Sequence, residues 1–452
     1  MAKRITASAK SLPDVPVPSS ATSSASRTTK SKGQKESKSK ETKTAKGLNA
    51  QPEISIGLVG HVDHGKTTLT KALTGKWTDT HSEELKRGIT IRLGYADASF
   101  YHYEKEDSYG ITETSPSGEK GVFVRKVSFV DAPGHETLMA TMLCGAAIMD
   151  GALLLISATE KCPQPQTREH LMGLEMSGID KVIVVQNKID AVDEEEAKEH
   201  YEQIKAFLKG TKYEHAPVIP ISALYDGNIN ILIETIQEVI PTPQRDTTQD
   251  PVMFVARSFD INKPGIDPVK LQGGVLGGSL MQGIIHVGDE VEIRPGRIYE
   301  KANQLTTQAL FATVESAMGG GASLDAVGPG GTVALRTSLD PSIVAADSLV
   351  GAIVGKAGKL PPVWSIIKLK VKLLDRVVGT KEELVVKPLA ERESLMLNVN
   401  SATSLGIVTD LAKGIATLSL KLPVCAAQGS KITLSRRLDN RWRLVGFGII
   451  QG

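Results

Sequence analysis

Gly60-His61-Val62-Asp63-His64-Gly65-Lys66-Thr67 constrains this chain more than any other stretch. It fits G-x-x-x-x-G-K-[ST], the phosphate-binding loop, which works only between the end of a buried strand and the start of a helix. Both flanks are present. Ile54, Ile56, Leu58 and Val59 form an apolar run that reads as a buried strand, and residues 67–74 read as a helix. Gly60 and Gly65 let the backbone curl and turn its N–H groups toward phosphate oxygens. The positive end of the following helix adds to that attraction. Lys66 is expected to reach the β- and γ-phosphates, and the Thr67 hydroxyl to ligate Mg2+. Val62, Asp63, His64, Gly65, Lys66, Thr67 and Thr68 make up the expected nucleotide-binding loop, with Asp63 also a metal candidate.

The rest of the chain must therefore supply the other parts of such a site. With 452 residues, two to four domains are expected, and 40% hydrophobic content supports real cores. No apolar run reaches the roughly 18 residues needed to span a bilayer. The three cysteines, Cys144, Cys162 and Cys425, are too scattered for a disulfide framework or a metal cluster, and a reducing cytoplasm is the expected setting. The net charge of +2 is unevenly spread: residues 1–49 hold eleven Lys/Arg against three Asp/Glu, leaving 42 basic and 48 acidic residues in the body. Any nucleic-acid surface on the body must then be a local patch.

Residues 1–49, rich in Ser, Thr and Lys, cannot offset the entropy of ordering and are expected to be a disordered tail. Their Arg/Ser character and scarcity of acids resemble an organellar transit peptide; a basic tail in loose contact with RNA is the plainer reading. Residues 50–245 alternate strand and helix, which predicts an α/β domain with a mainly parallel sheet. Strands are expected at Ile54–Val59, Val124–Val130, Ala152–Ser157, Lys181–Gln186 and Val218–Ile221, and helices near 67–74, 135–146, 166–177, 193–208 and 228–239. Beyond Pro241 and Pro243 the texture changes to short strands parted by Gly, Pro and Asp. Two antiparallel β-barrel domains are expected, over 246–356 and 357–452, with a seam near Gly355, Pro361 and Pro362.

Three more pieces follow apolar strands in order. Asp131-Ala132-Pro133-Gly134 puts a carboxylate near the metal, and the Gly134 N–H can sense the γ-phosphate. Asn187-Lys188-Ile189-Asp190 supplies a carboxylate, Asp190, that can accept from guanine's N1–H and 2-amino group, a pair adenine does not offer. The Lys188 stem can cover the base and Asn187 can tie the loop together. Ser222-Ala223-Leu224 places a backbone N–H where guanine O6 would sit, unless Ser222 simply caps a helix. Four pieces at strand carboxyl ends predict a guanine-nucleotide site binding GTP and GDP. Arg87-Gly88-Ile89-Thr90 falls where a switch segment would lie, with Thr90 completing the Mg2+ shell when a γ-phosphate is bound. His135 follows Gly134, where a residue that orients the attacking water belongs, and with Lys66 forms the catalytic expectation.

With these motifs, the sequence resembles the gamma subunit of archaeal and eukaryotic translation initiation factor 2. The stretches GHVDHGKTT, LKRGITIRLGYADA, SFVDAPGHETLMATMLCGAA and NKID carry the likeness, with RSFDINKPG (257–265), GGSLMQGIIHVGDEVEIRPG (277–296) and LSRRLDNRWRLVGFG (434–448). It covers about residues 52–452, and Asp63 and Thr67 look archaeal. The resemblance implies a G domain followed by two β-barrels, as in elongation factor Tu. It implies GTP-dependent binding of methionylated initiator tRNA, delivery to the small ribosomal subunit in the cytoplasm, and alpha and beta partner subunits. It also implies an apolar gate of Val62 and Ile89 beside His135, and an aminoacyl pocket between the G domain and the first barrel. Many relatives carry a four-cysteine zinc knuckle; the corresponding insert, Tyr101–Gly121, holds no cysteine and reads as a polar surface loop, so no zinc is expected. No arginine finger is evident in cis, so GTP hydrolysis should be slow unless stimulated. Arg436, Arg437, Arg441 and Arg443 are candidate RNA contacts, although a solvated strand face is the plainer reading. An elongation factor carrying ordinary or selenocysteinyl tRNA, and a non-hydrolysing scaffold for partner subunits, remain as alternatives.

Overall fold

The computed structural model describes residues 50–78, 90, 92–301, 304–377, 384–438 and 441–451. The expected tail and Ile89 lie outside the described residues. Seven strands build the first sheet: β1 (Ile54–Gly60), β2 (Gly94–Tyr103), β3 (Ser108–Gly110), β4 (Val122–Asp131), β5 (Gly151–Ser157), β6 (Val182–Asn187) and β7 (Val218–Pro220). They lie in the order β3-β2-β4-β1-β5-β6-β7. β4, β1, β5, β6 and β7 are parallel, and β2 joins β4 antiparallel. Every residue of β1 and β5 is buried, as a strand covered on both faces requires.

Helix α1 (Lys66–Thr74) ends at Gly75, whose left-handed backbone turns its N–H back to the Lys71 carbonyl. α2 (Met139–Ala146) follows a separate 3-10 turn at Glu136–Leu138, so the single helix expected over 135–146 is split. α3 (Pro165–Ser177) opens on proline and closes on Gly178. α4 (Glu194–Leu208) starts with a full capping box between Asp193 and Glu196. α5 (Ile229–Val239) completes the set. Leu69 and Leu73 of α1 share a core with Leu232, Ile233 and Ile236 of α5, whereas α2, α3 and α4 bury Met142, Leu174 and Ile204 on the other face. The chain thus passes from β4 across β1 to β5, and ligands in such sheets bind outside the strand ends at that crossing.

The insert expected to be a polar loop is a hairpin instead. β2 runs on to Tyr103 and pairs with β3. Tyr103 is buried, its hydroxyl donates to the Thr112 carbonyl at 2.7 Å, and Tyr109 and Ile111 pack on the α1/α5 core. Aromatic residues at alternate positions give a strand a face worth burying, which outweighs the polar average of the segment.

The second body contains β8 (Val252–Phe259), β9 (Val275–Gln282), β10 (Ile285–His286), β11 (Glu290–Lys301), β12 (Gln304–Gly319), β13 (Ala322–Leu324), β14 (Ala326–Val327), β15 (Thr332–Thr337) and β16 (Ile353–Lys356). Pairing of β11 with β12 closes the ring β11-β16-β8-β9-β15-β12, and β13 extends it. The third body is a closed barrel, β17-β20-β19-β18-β21-β22, from β17 (Val363–Leu373), β18 (Ser394–Val399), β19 (Ala402–Ala412), β20 (Ile415–Cys425), β21 (Lys431–Leu438) and β22 (Arg441–Ile450). Closure removes the open edges that would invite other strands. On β17, Ile367 and Leu369 are buried, Val371 and Leu373 are half-buried, and Lys368, Lys370 and Lys372 are exposed between them.

Both barrels dock on the α/β domain. The first is joined to β1 and β4: Gln51 exchanges two hydrogen bonds with the Gly328 backbone, and Lys126 Nζ donates to the Ala50 and Gly320 carbonyls. The second packs Leu444 into the core formed by α2 and α3.

Candidate functional site

The four pieces expected from sequence converge at the carboxyl ends of β1, β4, β6 and β7. A pocket of about 420 Å3 is lined by Val62, Asp63, Gly65, Lys66, Thr67, Thr68, Thr90, Gly134, His135 and Lys188. Trp77 also lines it, and a lone aromatic in a polar stretch is the one mark it leaves in the sequence.

The phosphate loop is held from beneath. Gly65 has φ 88°, and a Cβ there would stand 2.3 Å from Asn187 Nδ2, so only glycine suits the position. Asn187 Nδ2 donates to the His64 carbonyl at 2.9 Å, and its Oδ1 accepts the Ala223 N–H at 3.0 Å. One buried amide therefore ties together three loops, the role expected of it. Lys66 Nζ donates to the carbonyls of Gly60 at 3.0 Å and His61 at 2.6 Å, folding its charge over the loop.

His64 holds the loop through its side chain. Its ring is fully buried, with Nδ1 2.8 Å from the Leu155 carbonyl and Nε2 3.6 Å from Glu160. It supports the loop from behind and offers the pocket only its backbone. Burial holds it neutral, with its pKa down at about 3. His170 on α3, which no motif flagged, accepts the Gly60 N–H at Nδ1 over 2.8 Å. Burial depresses its pKa to about 3, and the Lys66 charge pushes the same way.

The metal candidates draw together unequally. Thr67 Oγ1 donates to Asp131 Oδ2 at 2.7 Å and lies 3.2 Å from Thr90 Oγ1; Thr78 Oγ1 reaches the same carboxylate oxygen at 2.8 Å. Two hydroxyls and a carboxylate are hard oxygen donors of the kind Mg2+ takes alongside water, so these residues fit that ion. Asp63 lines the pocket, exposed and with φ 61°, and no hydrogen bond among the described residues joins it to the other three.

His135 caps the 3-10 turn, its Nδ1 2.9 Å from Thr137 Oγ1. At the base end, the Ile189 N–H donates to the Ile221 carbonyl at 3.3 Å, which sets the Asp190 turn beside Ser222-Ala223-Leu224. Asp190 and Leu224 are exposed there. Ser222 caps a turn, accepting the Tyr225 N–H at 3.3 Å, while α5 begins later at Ile229.

Among the four candidate RNA-contact arginines, Arg436 and Arg443 have these internal partners. Arg436 pairs with Glu393 and donates to the Lys387 carbonyl at 2.8 Å. Arg443 is buried against Glu169 of α3, Nη1 to Oε1 at 2.7 Å, and so docks the last barrel on the α/β domain. Arg437 and Arg441 remain exposed on β21 and β22.

A second crevice, about 260 Å3, opens where the first barrel meets β2. Its walls are Tyr95, Asp97, Arg257, Phe259, Val333 and the Gly319–Gly321 turn, with Met318 beside it. Burial raises the Asp97 carboxyl above its ordinary range, against the pull of the Ser128 hydroxyl bonded to it at 2.6 Å.

Comparison with known proteins adds the following. Residues 51–242 match the elongation factor Tu GTP binding domain, and residues 365–450 match the family described as initiation factor eIF2 gamma, C terminal. The chain is 54% identical over 402 residues to the translation initiation factor 2 subunit gamma of Pyrococcus furiosus, covering 89% of this chain and 98% of that protein. It is 57% identical over 405 residues to the protein so described from Methanothermobacter thermautotrophicus, covering 89% and 99%. Among solved structures it resembles a bacterial selenocysteine-specific elongation factor, with a TM-score of 0.67 at 24% identity, over 88% of this chain and 58% of the other. The SelB elongation factor of Methanococcus maripaludis bound to a GTP analogue gives 0.66 at 22% identity, over 89% and 79%. Those two likenesses establish the shared fold.

Proposed function

This chain belongs to the translation initiation factor 2 subunit gamma family of translational GTPases, and from that premise we propose that it carries methionylated initiator tRNA to the small ribosomal subunit and releases it after GTP hydrolysis. The observation that carries this reading is identity above half along nearly the whole length of gamma subunits, coupled to a complete set of guanine-nucleotide motifs. Alpha and beta partner subunits and a cytoplasmic setting belong to the same proposal. So does the division of the chain at 50–245, 246–356 and 357–452. Among the described residues no helix is long and apolar enough to cross a membrane.

In the proposed mechanism the loop N–H groups of residues 62–68 and Lys66 bind the β- and γ-phosphates, and Asp190 selects guanine. Thr67, Thr90 and Asp131 would hold Mg2+, which neutralises phosphate charge. The His135 imidazole orients a water for in-line attack on the γ-phosphate, with Val62 and Ile89 as an apolar gate beside it. Lys66 Nζ, folded on its own loop carbonyls, is positioned to exchange those contacts for the charge that develops on the phosphate. The crevice beside β2 is proposed as the aminoacyl pocket: its apolar walls suit a thioether side chain, and Asp97 and Arg257 supply polar anchors. Arg437 and Arg441 are kept as candidate RNA contacts.

The likeness to selenocysteine factors, below 25% identity, supports the fold and not that substrate. The test is binding of labelled methionyl initiator tRNA against an elongator tRNA, with GTP analogue or GDP, with and without candidate partner subunits. GTP-favoured binding of the initiator alone is expected. Equal affinity for both tRNAs, or none with either nucleotide, overturns the initiation reading and leaves the GTPase intact.

A further inference from the structure

Where the three domains meet, a network of charges joins the two sites. Ala346 and Asp347 are consecutive non-glycine residues in the left-handed region, φ 55° and 61°; aspartate tolerates this conformation, but alanine keeps it only when its surroundings compel it. It aims the Asp347 carboxylate into the junction. Oδ1 accepts Arg257 Nε at 3.0 Å and the Ser258 N–H at 3.1 Å, while Oδ2 meets Arg92 Nη1 at 3.1 Å. Arg257 also reaches the Leu93 carbonyl at 3.5 Å and lines the crevice beside β2. At the other end, Arg92 and Leu93 follow Thr90, whose hydroxyl lies 3.2 Å from Thr67 of the phosphate loop. A short series of contacts therefore runs from the nucleotide pocket to the crevice wall.

The strength of the contacts fits a link that opens and closes. The side chains of Arg92, Asp347 and Arg257 are 42%, 20% and 28% exposed, so their ion pairs are modest and screened by salt. The Arg443–Glu169 pair, 7% and 1% exposed, is by contrast shielded from solvent and salt. Arg92, Leu93, Arg257 and Asp347 also border a junction cavity of about 330 Å3, so room exists beside the network for its members to change partners.

We propose that Asp347 is the latch through which the nucleotide state sets the shape of the crevice. Drawing Thr90 to the nucleotide holds Arg92 and the Leu93 carbonyl within reach of Asp347 and Arg257, which keeps the Arg257 side chain against the crevice wall. Release of Thr90 removes Arg92 from Asp347 and leaves Arg257 without its Leu93 contact, and the crevice loses its pre-formed wall. Two sites become coupled when both bias one two-state element, and the Asp347 network is that element here. The proposal rests on the reading of the crevice as the aminoacyl pocket, and the test separates the two.

With the full chain, initiator tRNA affinity is measured in GTP analogue and in GDP for wild type, Asp347→Asn, Arg92→Gln and the double variant. The ratio of the two affinities is expected to fall about five- to tenfold in each single variant, a size typical of coupling between sites. The double variant should fall no further, because both changes cut one link. GDP affinity and thermal midpoint should match wild type. Hydrogen exchange across 343–350 and 255–260, read without tRNA, should be slower with GTP analogue than with GDP in wild type and alike in Asp347→Asn. An unchanged affinity ratio in Asp347→Asn, or wild-type exchange indifferent to the nucleotide, overturns the latch. A wild type that binds no tRNA but shows the exchange difference removes the aminoacyl reading and keeps the latch.

Discussion

A methyl group at Gly134 would stand 2.5 Å from Lys66 Nζ and 2.7 Å from the Gly60 carbonyl, so the chain that follows Asp131 lies against the mouth of the phosphate loop. That contact carries His135 to the pocket it lines. Its address in the motif, and nothing about histidine itself, made it legible in the sequence. His135→Ala is expected to slow single-turnover GTP cleavage about 10²- to 10⁴-fold while leaving GTP affinity near wild type; equal cleavage rates would remove the side chain from the mechanism. The arginines illustrate the converse. Arg436, Arg437, Arg441 and Arg443 stand on neighbouring strands with the same charge, yet only the fold assigns Glu393 to the first and Glu169 to the last.

At the scale of the element, the phosphate loop is a strand–helix turn resting on a bed of neutral imidazoles. The His61 and His64 rings meet edge to face at 5.2 Å, and His170 accepts the Gly60 N–H from below. Strand, loop and helix were readable from the apolar run and the glycines; the bed was not, because His170 lies 110 residues from Gly60. The bed has a consequence for pH. His64 and His170 stay neutral in the folded protein down to about 3, whereas in the unfolded chain they take up protons near 6.5. Stability from this source is therefore complete above pH 6.5 and is lost as pH falls toward 3, at about 1.4 kcal/mol per pH unit for each histidine. Denaturant unfolding between pH 7.5 and 4.5 should show a shallower loss in His170→Gln, which keeps an acceptor for the Gly60 N–H. Equal slopes in variant and wild type would place the acid sensitivity elsewhere.

At the scale of the whole molecule, the α/β domain and the two barrels are joined by buried polar contacts as well as by apolar packing such as Leu444 in the α2/α3 core. Arg443 and Glu169 are 274 residues apart, and the helix that carries Glu169 also carries His170, so the last barrel is fastened one residue from the support of the phosphate loop. Removing one partner strands a buried charge, so Arg443→Met is expected to cost about 3–5 kcal/mol in thermal or denaturant unfolding. Arg443→Met with Glu169→Gln should recover part of that loss. A single variant no less stable than the double would show that the pair does not secure the barrel.

The division between sequence and tertiary structure follows the range over which each signal acts. The parallel strands β1, β4, β5, β6 and β7, the glycine loop after β1, Asp131 at the end of β4, the Asn187–Asp190 loop after β6 and the change to short strands after residue 250 are legible in patterns a few residues long, whereas β2, β3 and the order of strands across the sheet are not. Apolar periodicity, glycine and proline act on their own neighbourhood, and a nucleotide site at strand ends is a sum of such local patterns. Contacts between distant elements leave no such mark. The support from His170 needs α3 packed beneath β1, and the crevice beside β2, the Asp347 network and the commitment of Arg443 exist only with the barrels docked. A side chain's partner across an interface depends on packing between whole bodies, and no periodicity within one strand or helix encodes it.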